Sequence, residues 1–167
     1  ELGVLNDKPG DILQKRRRSG GIHPILVQMD PDLEDAALDE KITDLNEQFD
    51  CTGKLTIGQD SIRESHGAVH GKVNLQEALT ESCNVTFGTL ALRMKGQGLE
   101  DAFKRFGFME QLEGEILESA CHLPDFKHLP EGDIAQVGIG QSSLLVTPLR
   151  MAMLASAYAN DGRIMMP

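Results

Sequence analysis

The chain has 167 residues, enough for one domain of ordinary size or part of a larger one. Hydrophobic residues make up 40% and aromatics only 4%, with no Trp, so a core must be filled by Leu, Ala, Val, Ile and Met, which favours helices over a sandwich or barrel. A formal net charge of −10 repels phosphate backbones and excludes general nucleic-acid binding.

Residues 1–35 carry few signals. Asp7-Lys8-Pro9-Gly10 and Ser19-Gly20-Gly21 are turn sequences. Between them, Lys15-Arg16-Arg17-Arg18 is a basic run without amphipathic period, expected to be solvated. Ile22 to Met29 is apolar and suits a short strand. Asp30-Pro31 starts a helix, since Asp caps and Pro fits the first turn. Leu33, Ala36, Ala37 and Glu40 share a face of it.

Phe49 to Gly53 suggests a turn into a short strand, Lys54-Leu55-Thr56-Ile57, ending at Gly58. Gly67 and Gly71 mark a loop. Asn74 opens the clearest helix, with Glu77 three residues on to complete a capping box. Its stripe is Leu75, Ala78 and Leu79. Glu81-Ser82-Cys83-Asn84 interrupts that stripe with small polar groups. It resumes at Val85, Phe87, Leu90, Ala91 and Met94, and Gly96 is expected to end it. Leu99, Ala102, Phe103 and Phe106 form a further helix stopped by Gly107. Residues 109–133 are expected to be a long irregular connection. Gln136 to Gln141 is expected to be a tight Gly-punctuated turn. Thr147-Pro148 opens the last helix, with Leu149, Ala152, Met153 and Ser156 as its stripe, ended by Asn160-Asp161-Gly162.

Cys51, Cys83 and Cys121 show no Cys-x-x-Cys spacing. His66 and His70 are four apart, but Gly67 and Gly71 argue against a helix there and no Glu follows His66, so no metal site is expected. Gly138-x-Gly140 lacks the rest of a nucleotide-binding pattern, and no cofactor is expected. No apolar stretch reaches the roughly 18–20 residues that span a bilayer. The start has no initiator Met or signal pattern, and both ends read as cut from a longer protein.

Several blocks stand in a telling order: Phe49-Asp-Cys-x-Gly53; His70-Gly-Lys-Val-Asn-Leu-x-x-Ala-Leu-x-x-Ser82-Cys-Asn84-x-x-Phe87; Phe106-Gly-Phe108; Gly138-Ile-Gly-Gln141; Val146-Thr-Pro-Leu-Arg-Met-Ala152; and Ala159-Asn-Asp-Gly162. Together they resemble the penicillin-binding protein transpeptidase family over about residues 36–167, with 1–35 unassigned. The resemblance implies an α+β fold, predominantly α in this segment, with the sheet incomplete. By the same resemblance this segment is expected to be the helical part of a β-lactamase-like domain.

The resemblance also implies a mechanism. In that family a Ser-x-x-Lys serine attacks the carbonyl of a D-Ala-D-Ala stem peptide or a β-lactam, and Ser-x-Asn and Lys-Thr-Gly complete the site. Ser82 then takes the role of proton relay, because a hydroxyl both donates and accepts, and Asn84 that of a clamp on the substrate amide. Stem peptides, β-lactams and cell-wall synthesis proteins are the implied partners. The implied location is the extracytoplasmic face of the bacterial membrane, with an anchor outside this sequence.

The first motif should fall near residues 26–30, as Val27 with Asp30 or Leu26 with Met29, and neither register supplies Ser or Lys. No Ser-x-x-Lys or Lys-Thr-Gly occurs in the chain. The chain is therefore expected not to acylate. The mismatch is confined to residues 10–35, which suggests local replacement rather than gradual decay. Two alternatives are a non-catalytic stem-peptide-binding or scaffolding module, and a plain helical domain.

Overall fold

The computed structural model describes residues 30–110 and 121–165. The basic run, the expected strand at 22–29, the first-motif positions Leu26, Val27 and Met29, and part of the 109–133 connection lie outside the described residues. The described residues group into two compact units, one from 30–102 and 124–144, the other from 103–110, 121–123 and 145–165.

The larger unit opens with α1 (Asp30–Asp39), where Leu33, Ala36 and Ala37 are buried as the spacing predicts. Glu40 is exposed, so that face ends one turn earlier than expected. A turn follows in which the Thr43 hydroxyl donates to Glu47 at 2.7 Å. Arg93 then pairs with Glu47 at 2.8 Å and lies over the Phe49 ring at 5.4 Å. The guanidinium is thus held between a carboxylate and a ring face, a cation–π contact at a part-exposed site.

Four short strands follow, where the sequence signalled one. β1 (Phe49–Cys51) pairs antiparallel with β4 (Gly71–Val73), placing Cys51 opposite Gly71. β2 (Lys54–Ile57) and β3 (Asp60–Arg63) form a hairpin around Gly58, which takes a positive φ of 57°. Phe49 to Cys51 was expected to be a turn. It pairs instead because a distant strand supplies its hydrogen bonds, which local propensity cannot signal. A single 3-10 turn, Ser65–Gly67, leads back to β4.

α2 (Leu75–Glu81) starts with the expected capping box: Asn74 Oδ1 accepts from the Glu77 N–H at 2.9 Å, and Glu77 accepts from the Asn74 N–H at 2.9 Å. α3 (Asn84–Arg105) is a run of two helical segments joined across a kink, as the two expected helices require. Its kink falls at Lys95, whose φ is 61°. The first segment thus ends beside Gly96, where the sequence placed its stop. A Cβ on Gly96 would lie 1.9 Å from the Phe126 carbonyl oxygen, so glycine is required for backbone approach.

α4 (Glu131–Gly138) takes the end of the expected 109–133 connection and the first half of the turn expected at Gln136 to Gln141. Its apolar residues Ile134, Ala135 and Val137 are buried, and its end at Gly138 meets α3 closely. The sequence signal was masked because the helix is only eight residues long and carries a glycine at each end.

The smaller unit contains α5 (Pro148–Ala159), capped by the Thr147 hydroxyl on the Arg150 N–H, with Pro at the start as expected. Its buried face is Arg150, Met153, Leu154 and Ala157. Ala152 and Ser156, expected inside, face outward. The face is turned because Arg150, a charged residue, is the one buried. Its guanidinium donates to the Gly107 and Glu110 carbonyls. Phe103 and Phe108 pack with ring centroids 5.5 Å apart in the same unit. No helix among the described residues is long and apolar enough to cross a membrane.

Candidate functional site

Ser82 and Asn84 stand at the junction of α2 and α3. Ser82 is the C-cap of α2 in the left-handed region, φ 54° and ψ 52°, with its N–H on the Ala78 and Leu79 carbonyls. A non-glycine residue in that region costs about 1–2 kcal/mol. The chain turns sharply there, and Cys83 points inward, 0% exposed, while Ser82 and Asn84 on either side are half-buried. The expected helix–break–helix is therefore present. It presents two polar side chains around one buried thiol.

Asn84 begins α3. Its side-chain amide donates to the Arg63 carbonyl at 3.0 Å, which fixes how the amide is turned. Its backbone N–H donates to Glu64 Oε2 at 3.1 Å, and the Val85 N–H donates to Glu64 Oε1 at 2.8 Å. Glu64 is 5% exposed. A buried carboxylate requires partners, and the first turn of α3 supplies two. The thiols of Cys51 and Cys83 supply two more, donating to Oε1 at 3.4 Å and 3.3 Å.

This junction forms a second grouping. Cys51, Glu64, His70 and Cys83 each bring one donor atom to within 4.8 Å of the others, and Cys51 Sγ lies 3.5 Å from His70 Nδ1. Three are buried and His70 is half-buried. A set of two sulfurs, one imidazole nitrogen and one carboxylate oxygen suits Zn²⁺, whose tetrahedral donors sit about 3.3–3.8 Å apart given bonds of ~2.0–2.3 Å. Contacts of 3.3–3.5 Å within the set already match that spacing. No spacing in the chain announces this grouping. His66 and His70 were the only pair with ligand spacing, and His66 lies in the 3-10 turn while His70 meets Cys51, 19 positions earlier. β1–β4 pairing is what carries Cys51 to His70.

Burial pushes the Cys83 thiol up to about 12, while the Thr86 hydroxyl, donating to its sulfur at 3.2 Å, pulls the other way. A thiol so held is protonated at neutral pH and inert as a nucleophile. A metal ion would have to displace its proton.

Gly138, from the Gly138-x-Gly140 block, sits against α3. A Cβ there would meet Ala91 Cβ at 2.3 Å and the Phe87 carbonyl at 3.0 Å. That glycine sets the spacing between α4 and the helix that carries Asn84. Gly140 takes a positive φ of 72° just beyond. Of the first-motif positions only Asp30 is described, as the first residue of α1.

Glu64 and Arg63 are the site residues that sequence reasoning passed over. The one usable signal was Cys83 itself: a helix start with Cys where Ser, Thr, Asp or Asn is preferred needs its cap from elsewhere.

The model of the family described as penicillin binding protein transpeptidase domain matches residues 35–167. Over 175 aligned residues the chain is 28% identical to the peptidoglycan D,D-transpeptidase MrdA of Haemophilus influenzae, covering 98% of this chain and 27% of that protein. The chain thus spans about a quarter of that relative's length. Among solved structures, the D,D-transpeptidase domain of a peptidoglycan glycosyltransferase from Eggerthella lenta aligns with a TM-score of 0.78 at 22% identity, over 93% of this chain and 43% of that one. The penicillin-binding protein PBP2 of Helicobacter pylori, in its complex with MreC, aligns with a TM-score of 0.65 at 24% identity, over 74% and 25%. These likenesses establish the fold as that of such domains, helix-rich with small sheets, as expected from the sequence.

Proposed function

Because the chain belongs to the penicillin-binding protein transpeptidase domain family, we propose that it is the Ser-x-Asn-bearing middle of a peptidoglycan D,D-transpeptidase, and that this stretch alone does not acylate. The observation that carries the reading is Ser82 held left-handed beside an Asn84 whose amide is turned by the Arg63 carbonyl. Acyl transfer from a D-Ala-D-Ala peptide needs a serine nucleophile and a base to take its proton. The sequence has no Ser-x-x-Lys to provide them. What remains is positioning. The Ser82 hydroxyl can pass a proton toward a leaving amine, and Asn84 keeps a carbonyl oxygen and a second N–H for a substrate amide.

In a catalytically complete relative, a Ser-x-x-Lys at the positions of residues 26–30 would supply the nucleophile and its base, and a Lys-Thr-Gly strand would complete the site. The substrate would be the stem peptide of peptidoglycan, β-lactams would mimic it, and the domain would work on the extracytoplasmic face of the membrane. A partner from the cell-wall assembly machinery fits the same reading, given the relative solved with MreC. The alternative is a module that binds stem peptide reversibly without turnover.

Two measurements separate these. Intact-mass analysis after incubation with benzylpenicillin should show no added mass, and a shift of one penicillin per chain would sink the claim of incompetence. Titration with a D-Ala-D-Ala peptide should move the NMR signals of Ser82 and Asn84, and silence at both would favour a plain helical domain.

A second reading attaches to the same junction: Cys51, Glu64, His70 and Cys83 hold a divalent metal that braces the start of α3. Cobalt(II) added to the apo chain should give the near-ultraviolet sulfur-to-cobalt charge-transfer band of a dithiolate site. A spectrum without it would remove this reading.

A further inference from the structure

We propose that Glu64 is the positioning residue of the Ser82–Asn84 pair. It acts as a long-range cap that holds both ends of the motif in register. The inference rests on the transpeptidase reading for what the pair does, and on geometry alone for how it is held.

The first amides of a helix have no partner within it. The residue that would cap α3 locally is Cys83, and a thiol is a poor acceptor that here points into the core, 0% exposed. The cap comes instead from 20 positions earlier in the chain. Glu64 takes the Asn84 and Val85 N–H groups on separate oxygens, at 3.1 Å and 2.8 Å. These are charge-assisted bonds at the positive end of the helix dipole, the strongest kind of cap available. The preceding residue completes the grip, because the Arg63 carbonyl holds the Asn84 side chain at 3.0 Å. Arg63-Glu64 thus fixes both the backbone and the side chain of Asn84.

The clamp is itself anchored. The Glu64 N–H donates to the Gly53 carbonyl at 3.0 Å, and its own carbonyl accepts from Gly67 at 3.4 Å. Gly53 takes a φ of 85°, with the Ala68 carbonyl 2.7 Å from where a Cβ would stand. That loop has no slack to follow α3 if the helix start shifts.

Ser82 explains why such a clamp is needed. Its left-handed backbone persists only if both sides are tied. On the α2 side, the Cys83 N–H bonds to the Ala78 carbonyl at 2.8 Å. On the α3 side, Glu64 provides the tie. A carboxylate has about four lone-pair positions, so Oε1 can hold the Val85 amide and still serve a metal ion.

The test is amide hydrogen exchange by NMR on the chain, with EDTA present so that no metal contributes. Wild type, E64A and E64Q are compared, with a D-Ala-D-Ala peptide titration alongside. In E64A the Asn84 and Val85 amides should exchange at least tenfold faster, while Leu90 and Ala91, deeper in α3, change less than twofold. E64Q keeps one carbonyl acceptor and should restore protection at one of the two amides. It also gives the reading should E64A not fold. Peptide affinity should fall about fivefold or more in E64A and partly recover in E64Q. Unchanged exchange at Asn84 and Val85, or equal acceleration along all of α3, would overturn the clamp. Altered exchange in a chain whose wild type binds no peptide would uphold the clamp and count against the transpeptidase reading instead.

Discussion

Replacing Gly138 by Ala tests whether the spacing of α3 and α4 is set by a missing methyl group. The added Cβ would stand 2.3 Å from Ala91 Cβ, 3.0 Å from the Phe87 carbonyl oxygen and 3.3 Å from Leu33 Cδ2. Carbon atoms in contact sit about 3.5–4.0 Å apart. The two helices must therefore separate by more than an ångström, or α4 must rotate and lose its buried face of Ile134, Ala135 and Val137. Neither neighbour can swing aside, since Ala91 has only its Cβ and Phe87 offers backbone. Overpacking of this kind costs about 1–3 kcal/mol. The helix-propensity gain of Ala over Gly, up to about 1 kcal/mol in a helix interior, offsets only part and is smaller at a helix end.

A net loss near 1–2 kcal/mol should lower Tm by roughly 2–8 °C in a domain of this size. Urea denaturation of G138A gives the number. The double variant A91G/G138A supplies the control, because removing the Ala91 methyl restores the space. If the clash is the cause, the pair will be clearly non-additive, with a coupling of about 1 kcal/mol in the direction of rescue. Additive losses, or a G138A chain as stable as wild type, would show that the helices are not held at this distance by Gly138.

Three further outcomes follow from particular side chains. N74A removes the acceptor for the Glu77 N–H and half of the capping box, and should cost about 1 kcal/mol by urea denaturation, with N74D nearly neutral. R150M leaves the Gly107 and Glu110 carbonyls without the buried guanidinium, and should cost about 1–3 kcal/mol, read as a drop in Tm. The Cys83 thiol holds its proton more tightly folded than unfolded, so its contribution is fully present below the ordinary thiol value near 8.5 and is lost as pH rises toward about 12. Between pH 9 and 10 the metal-free wild type should lose stability faster than C83S, by at most about 1.4 kcal/mol per pH unit. Matching slopes would refute the assignment.

The sequence made legible whatever is local. The capping box at Asn74, the Thr147-Pro148 helix start, the polar break at Ser82 and the buried α3 stripe all depend on neighbours within about four residues, and all appear where the pattern placed them. What stayed hidden depends on residues far apart in the chain. β1 needs β4, whose Lys72 pairs with Asp50 from 22 residues away, so Phe49-Asp50-Cys51 looked like a turn. Gly96 was legible as a helix break, beside the kink at Lys95, but nothing in the sequence announces the Phe126 carbonyl packed against it. Arg150 looked like an outward charge because its two acceptors lie about 40 residues earlier. The same rule divides the candidate site. Ser82 and Asn84 were readable as a motif, whereas the residues that hold them, Arg63 and Glu64, were not.

That division bears on what the chain retains. A nucleophile and its base form a local motif, four residues on one helical turn, and a change confined to a short stretch removes both. The apparatus that positions Ser82 and Asn84 is spread over β1, the end of β3, the His70 loop and the start of α3, and its members depend on one another. Removing Cys51 or His70 changes what Glu64 meets, and moving Glu64 releases Asn84 and Val85. Positioning contributes to rate only when a reacting pair is there to be positioned, because groups that act as a unit lose nearly all their effect with the first member lost. On the proposed reading, a chain in this condition would bind a stem peptide and turn none over. Grafting a Ser-x-x-Lys pair at residues 27–30 would therefore test whether the rest of the site is intact. Slow penicillin acylation that E64A weakens would show a working clamp, and a graft that reacts equally with and without Glu64 would show that the clamp serves the fold alone.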